Sequence, residues 1–290
     1  MTETFTVEPT LPPEDALLFE PFRPEEPSLA PSVPGLRLRL APRRSRARPS
    51  PCLPSAPALF PWLAARFRPG EATLWCGPKV AVEPILEMVY AGNAVARGRL
   101  SLLEGANRFH PYRVGELGRS LGVDATETLR RIRIARAFTA YQMVALVEAW
   151  AREVRRHPPT LLVGHDLPTL FLDDEVPADE REALLRHVAR TLGALLHDVP
   201  VPLLLTLGPG VLERFSGLAE EGPRWADLVY FERGPVALRA RALRDDARLA
   251  FVPRAPGQRG MEEFGGRSAA EEVIAWDVPP RRTVRRSRSG

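Results

Sequence analysis

The stretch GPKVAVEP, residues 77–84, follows a short apolar run and precedes a segment with helical spacing. A phosphate loop of the Walker type is spelled G-x-x-x-x-G-K-[ST]: the glycines let backbone N–H groups curl around phosphate oxygens, the lysine reaches the outer phosphates, and the hydroxyl meets Mg²⁺. With Gly77 as the first glycine, the remaining required positions are Val82, Glu83 and Pro84. A carboxylate in place of the lysine turns attraction for a polyanion into repulsion. Each such contact is worth ~4 kcal/mol even at an effective dielectric near ~20. Pro84 offers neither a hydroxyl nor a backbone N–H. Gly77 and Lys79, the only lysine in the chain, are what is left of a cofactor-binding loop. The plainer reading of Lys79 is a solvent-exposed side chain in a turn.

Arginine supplies the other chemistry. Residues 37–48, RLRLAPRRSRAR, hold six arginines and no acid, and the tail 281–290 holds five more. Arg43, Arg44, Arg46 and Arg48, with Arg281, Arg282, Arg285 and Arg286, are candidate nucleic-acid contacts, because flexible arginine-rich segments bind phosphates without sequence preference. The competing reading is a pair of solubilising tails. Arg130, Arg131, Arg133 and Arg136 invite a basic helical stripe, or an ordinary solvated face paired with acids such as Glu127. His157, His165, His187 and His197 match no metal spacing, Cys52 and Cys76 form no C-x-x-C, and no G-x-S-x-G elbow appears, so no metal site is expected.

These residues need a framework. The chain has 290 residues, is 44% hydrophobic, and carries a formal charge of +4, enough for a sizeable core and only mildly basic. No basic-then-apolar leader and no apolar run of ~18–20 residues is present, so no membrane span and a cytoplasmic setting are expected. Fourteen of the 31 prolines fall in residues 1–61. Residues 1–56 therefore read as a disordered Pro/Arg-rich arm, 57–255 as the core, and 256–290 as an extension with a basic, mobile tail.

Within the core, short apolar runs at 72–77, 99–105, 160–166 and 201–207 read as strands, the last two buried on both faces. Helical spacing marks 83–98, 114–122, 125–157 and 179–198, the third with a candidate break near Phe138–Thr139. Residues 227–253 alternate and turn at Arg233–Gly234–Pro235, as antiparallel edge strands do. The expected class is α/β: a mainly parallel sheet covered by helices on both faces, with antiparallel strands at the C-terminal edge.

The order of these elements resembles the ATPase core of the RecA/RadA recombinase family over about residues 60–255. Three stretches carry the resemblance: LLEGANRFHPYRVGELGRSLGVDATETLRRI after the second strand, IARAFTAYQ at 134–142, and TLLVGHDLPTLF followed by REALLRHVARTLGAL. The resemblance implies that Glu104 stands where the family keeps its water-activating glutamate. It places Asp166, or by a one-residue shift His165, near the Walker B aspartate, and Leu207–Gly208 where the family has a polar sensor pair. The lysine and hydroxyl positions are Glu83 and Pro84. The resemblance thus implies a degenerate paralogue: Glu104 and Asp166 as remnants of an ATPase site, no cofactor expected although ATP with Mg²⁺ is the family's own, and no hydrolysis.

The family's DNA loops follow its third and fourth strands. Here 172–180 is acidic without a base, and 208–225 offers Arg214 and Arg224 against three acids, with Phe215 and Trp225 as aromatics better suited to packing. The expected function is an accessory protein in DNA repair or recombination that binds a partner recombinase, DNA or both. One alternative still binds or slowly turns over ATP through Lys79, Glu104 and Asp166. Another is a regulatory scaffold with no nucleic-acid role.

Overall fold

Strand β1 (Ala72–Cys76) is buried along its whole length because its side chains alternate between two helical layers. Ala72, Leu74 and Cys76 face one core, whereas Trp75 faces the other. The same alternation makes β2 (Leu100–Glu104), β4 (Leu161–His165) and β5 (Leu203–Leu207) continuously buried. The computed structural model describes residues 59–172, 176–208, 211, 222–233, 238–254 and 272–277. The eight candidate tail arginines lie outside them, as do the acids at 173–175, Arg214 and Phe215.

Among the described residues nine strands form one sheet, in the order β3-β2-β4-β5-β1-β6-β7-β8-β9. Strands β3 (Ile132–Arg136), β2, β4, β5, β1 and β6 (Trp225–Arg233) run parallel. Strands β7 (Leu238–Ala242) and β8 (Arg248–Arg254) continue antiparallel, as the alternation and turn in 227–253 imply. On one face lie α5 (Ala140–Arg156) and α6 (Ala178–Asp198), which also pack on each other. On the other lie α1 (Leu59–Ala64), α2 (Lys79–Val95) and α3 (Pro111–Ser120). The α/β class with a mainly parallel, two-sided sheet and an antiparallel C-terminal edge is therefore the observed architecture. No helix among the described residues is long and apolar enough to cross a membrane.

Two expectations are corrected. Residues 125–157 are not one helix: α4 (Ala125–Arg130) ends, β3 pairs parallel with β2, and α5 begins at Ala140. The sequence IRIAR alternates with period two, and its isoleucines prefer the pleated edge of a sheet to a helix interior. Arg130 and Arg133 consequently share no helical stripe; Arg133 pairs with Glu153 at 2.5 Å and Arg131 with Glu127 at 2.6 Å. The second correction is β9 (Glu272–Asp277), which joins the sheet beside β8 from within the segment expected to be an extension. Trp225 is 1% exposed in β6, a packing residue rather than a base platform.

Capping explains the helix starts. Asp124 accepts from the N–H groups of Thr126 and Glu127 at 2.8 and 3.3 Å. Thr139 accepts from the Gln142 N–H at 3.2 Å while the Gln142 side chain takes the Phe138 N–H at 2.9 Å, a reciprocal cap at the head of α5.

Candidate functional site

In a mainly parallel sheet, ligands bind outside the carboxyl ends of the strands where the chain reverses its direction of winding. Here β1 sends the chain through α2 across β5 and β4 to β2, so the crevice is bounded by the ends of β1, β2 and β4. Only Gly77 and Pro78 separate β1 from α2. A phosphate cradle needs outward-pointing amides, yet the Gly77 N–H donates to the Leu207 carbonyl at 3.3 Å, and those of Ala81 and Val82 to the Pro78 carbonyl at 2.8 and 3.1 Å. Gly77 itself is required by packing: a Cβ there would stand 2.5 Å from the Phe231 carbonyl oxygen of β6. Lys79 is exposed at the first position of α2 and does not line the crevice.

Glu83 and Pro84 lie inside α2, in its second turn. Pro84 cannot donate to the Val80 carbonyl, the bond a helix would otherwise make there. The Glu83 carboxylate faces the Arg108 guanidinium, whose Nη1 is 3.4 Å from Glu83 Oε1 and 3.3 Å from Asp166 Oδ2. One nitrogen thus bridges α2 to the residue after β4, placing the protein's own cation between the two acids.

Glu104 and His165 end the neighbouring strands β2 and β4 and are register partners. Glu104 is fully buried; its Oε1 lies 3.1 Å from His165 Nδ1 and accepts the N–H groups of Ala106 and Arg108, both at 3.2 Å. Burial pushes its pKa up, but the hydrogen bond and charge of His165 and the two backbone donors outweigh it, leaving the carboxyl below its ordinary value. Asp166 adopts a left-handed backbone at φ 53°. Its N–H donates to Thr206 Oγ1 at 3.0 Å, and its carboxylate accepts from Thr169 Oγ1 at 2.7 Å as well as pairing with Arg108. Both acids are saturated by intramolecular partners.

Behind them, Glu83, Glu87 and Tyr90 follow one another at helical spacing on the face of α2 turned toward β2. Glu87 is 5% exposed and pairs with Arg113 Nε of α3 at 2.5 Å. Its pKa is pushed up to about 7, chiefly by burial and further by Glu83, with Arg113 opposing. The Tyr90 hydroxyl is buried, has no hydrogen-bond partner among the described residues, and is held well above its usual pKa by burial and by Glu104, Glu87 and Glu83. These groups line a cleft with Leu86, Arg108, Phe109, His110 and His165. It encloses about 210 Å³, part of it open to solvent. Small-molecule sites run from ~300 to ~1,000 Å³. The crevice in this form is too small for a nucleoside triphosphate.

The fold brings Glu104 and Asp166 to one crevice and leaves Gly77 and Lys79 at its margin. Sequence reading misses Arg108, Glu87 and Tyr90 as parts of it; the available signal is the i, i+4, i+7 spacing of Glu83, Glu87 and Tyr90. No group of three or more His, Cys, Asp or Glu among the described residues is placed to hold a metal ion. The residues present do not fit Mg-ATP: an acid stands at the lysine position, a proline at the hydroxyl position, and an arginine across the aspartate. Fold and site define a mainly parallel α/β protein whose strand-end crevice is closed by its own ion pairs. No protein-family model matches the chain.

Proposed function

We propose that the protein is a RecA/RadA-like accessory factor of DNA repair or recombination that works by binding an active recombinase, DNA or both, without hydrolysing ATP. One observation carries the reading: Arg108 spans Glu83 and Asp166, so the positive charge that a phosphate loop would direct at a triphosphate is neutralised inside the chain. Support comes also from β1, β2 and β4 ending on one edge with Gly77, Glu104 and Asp166 at those ends. An ATPase core that has lost turnover keeps its surfaces for assembly and partner contact. The free edge of β3 and the arginine segments are the surfaces assigned to docking.

The test uses the full chain. Immobilised protein incubated with a purified RadA-type recombinase, and a gel shift on DNA at low salt, should give at least one saturable complex. Turnover of Mg-ATP should stay at the blank rate. Neither complex forming, or hydrolysis that Glu104→Gln abolishes, overturns the proposal.

A further inference from the structure

Among the described residues five large hydrophobic side chains are exposed, and four of them sit on one edge of the sheet. Val80 opens α2 after β1, Tyr112 opens α3 after β2, and Phe138 and Tyr141 follow β3. Because these strands are parallel, all four residues lie beyond their carboxyl ends. Tyr112 is 89% exposed and Phe138 65%, so neither ring is used for packing. Scattered exposed apolar residues are ordinary; their collection on one edge is not.

The charges along the same edge are positive. Lys79 stands next to Val80, His110 two residues before Tyr112, and Arg136 two before Phe138, each exposed and with no acidic partner among the described residues. The nearby acids are engaged or set to one side. Glu83 and Asp166 are held by Arg108, and Glu87 by Arg113. The Tyr141 hydroxyl donates to Glu180 at the acidic start of α6, which marks where the basic strip ends. From β3 to β1 is four strand spacings, roughly 20 Å at ~4.8 Å each.

We propose that this rim, with Tyr112 and Phe138 as stacking rings and Lys79, His110 and Arg136 as phosphate contacts, binds single-stranded nucleic acid. Every base presents a π-face to an aromatic ring, and cations spaced between rings track the backbone. The extent of the rim suits the short end of single-strand footprints, roughly 4 nucleotides and upward. The proposal rests on the nucleic-acid part of the function above and assigns it to a surface away from the arginine segments.

The experiment measures fluorescence anisotropy of the full chain with an end-labelled oligothymidylate of ~16 nucleotides and with an abasic oligomer of equal phosphate number. Stacking requires bases, so the oligothymidylate should bind more tightly by roughly fivefold or more. Tyr112→Ala and Phe138→Ala should erase that preference, whereas Leu243→Ala, the exposed apolar residue outside the rim, should keep it. Equal affinity for both oligomers, or a preference that survives loss of both rings, overturns the rim while leaving DNA binding by the arginine segments intact. Binding of neither oligomer removes the DNA part of the function as well. Ring variants that change only self-association in sedimentation assign the rim to a second copy of the chain and overturn the proposal.

Discussion

The carboxylate of Glu104 and the imidazole of His165 meet at 3.1 Å as register partners on adjacent parallel strands, with Glu104 wholly inaccessible to solvent. A carboxylate that accepts two backbone N–H groups besides an imidazole is a structural clamp on the β2–α3 connection before it is anything else. Since the folded pKa lies below the ordinary 4.5, the stability it gives is complete above that value and is lost as pH falls through the folded pKa. Glu104→Gln should therefore cost about 1–2 kcal/mol at neutral pH, with the gap from the native chain closing below pH ~4.5. Urea unfolding at several pH values reads it; a gap independent of pH contradicts the assigned ionised state.

Glu87 has the opposite sign. Its folded pKa of about 7 lies above the ordinary 4.5, so its contribution is full below 4.5 and is lost as pH rises toward 7. Glu87→Gln removes the titrating group. Relative to the native chain, the variant should gain stability between pH ~5 and ~8, by up to about 3 kcal/mol, a ceiling because Arg113 relaxes toward the charged form. The two carboxyls together place the site's own stability maximum in mildly acidic solution. Identical pH slopes for variant and native chain would sink this assignment.

The residues of the β1–α2 turn divide in the same physical way. Gly77→Ala drives a Cβ into the Phe231 carbonyl and should destabilise by about 1–3 kcal/mol. Lys79→Ala, at an exposed position with no partner among the described residues, should stay within about 0.5 kcal/mol. Thermal shift with Mg-ATP should be flat for the native chain and for Lys79→Ala, whereas a ligand at ~100 times its Kd would add ~2.7 kcal/mol. A saturable shift that Lys79→Ala abolishes would mean that the loop still holds a nucleotide.

Much of the framework is legible in the residues because burial on two faces writes itself as unbroken apolar runs. Leu203 to Leu207 identifies itself this way, and Glu104 stands out as the first charge after the run that begins at Leu100. Strand β3 is hidden: IRIAR continues an arginine-rich amphipathic pattern, and its pairing with β2 depends on a neighbour distant in sequence. The Thr139–Gln142 cap is in plain view and sets the start of α5. Arg108 is invisible as a site residue for another reason. Its role follows from standing 25 residues from Glu83 and bridging it to Asp166, a relation that only the folded chain creates.

Arg66 supplies the last test, on the element that leads into β1. Its guanidinium lies 3.6 Å from the Trp62 ring centroid, donates to the Trp62 carbonyl at 2.6 Å, and reaches Asp245 at 3.1 Å and Asp227 at 3.4 Å. Asp227 is 2% exposed, and burial raises its pKa despite the N–H groups of Leu228 and Arg244 and the charge of Arg66. Arg66→Ala strands that carboxylate and should cost about 3–5 kcal/mol. Asp227→Asn in the Arg66→Ala background should cost far less than Asp227→Asn alone, because the charge to be compensated has gone. Urea titrations of the four proteins give the coupling directly. Strict additivity would mean that Arg66 acts through Trp62 and Asp245 alone, and that α1 is joined to the β6–β7 side of the sheet by packing rather than by charge.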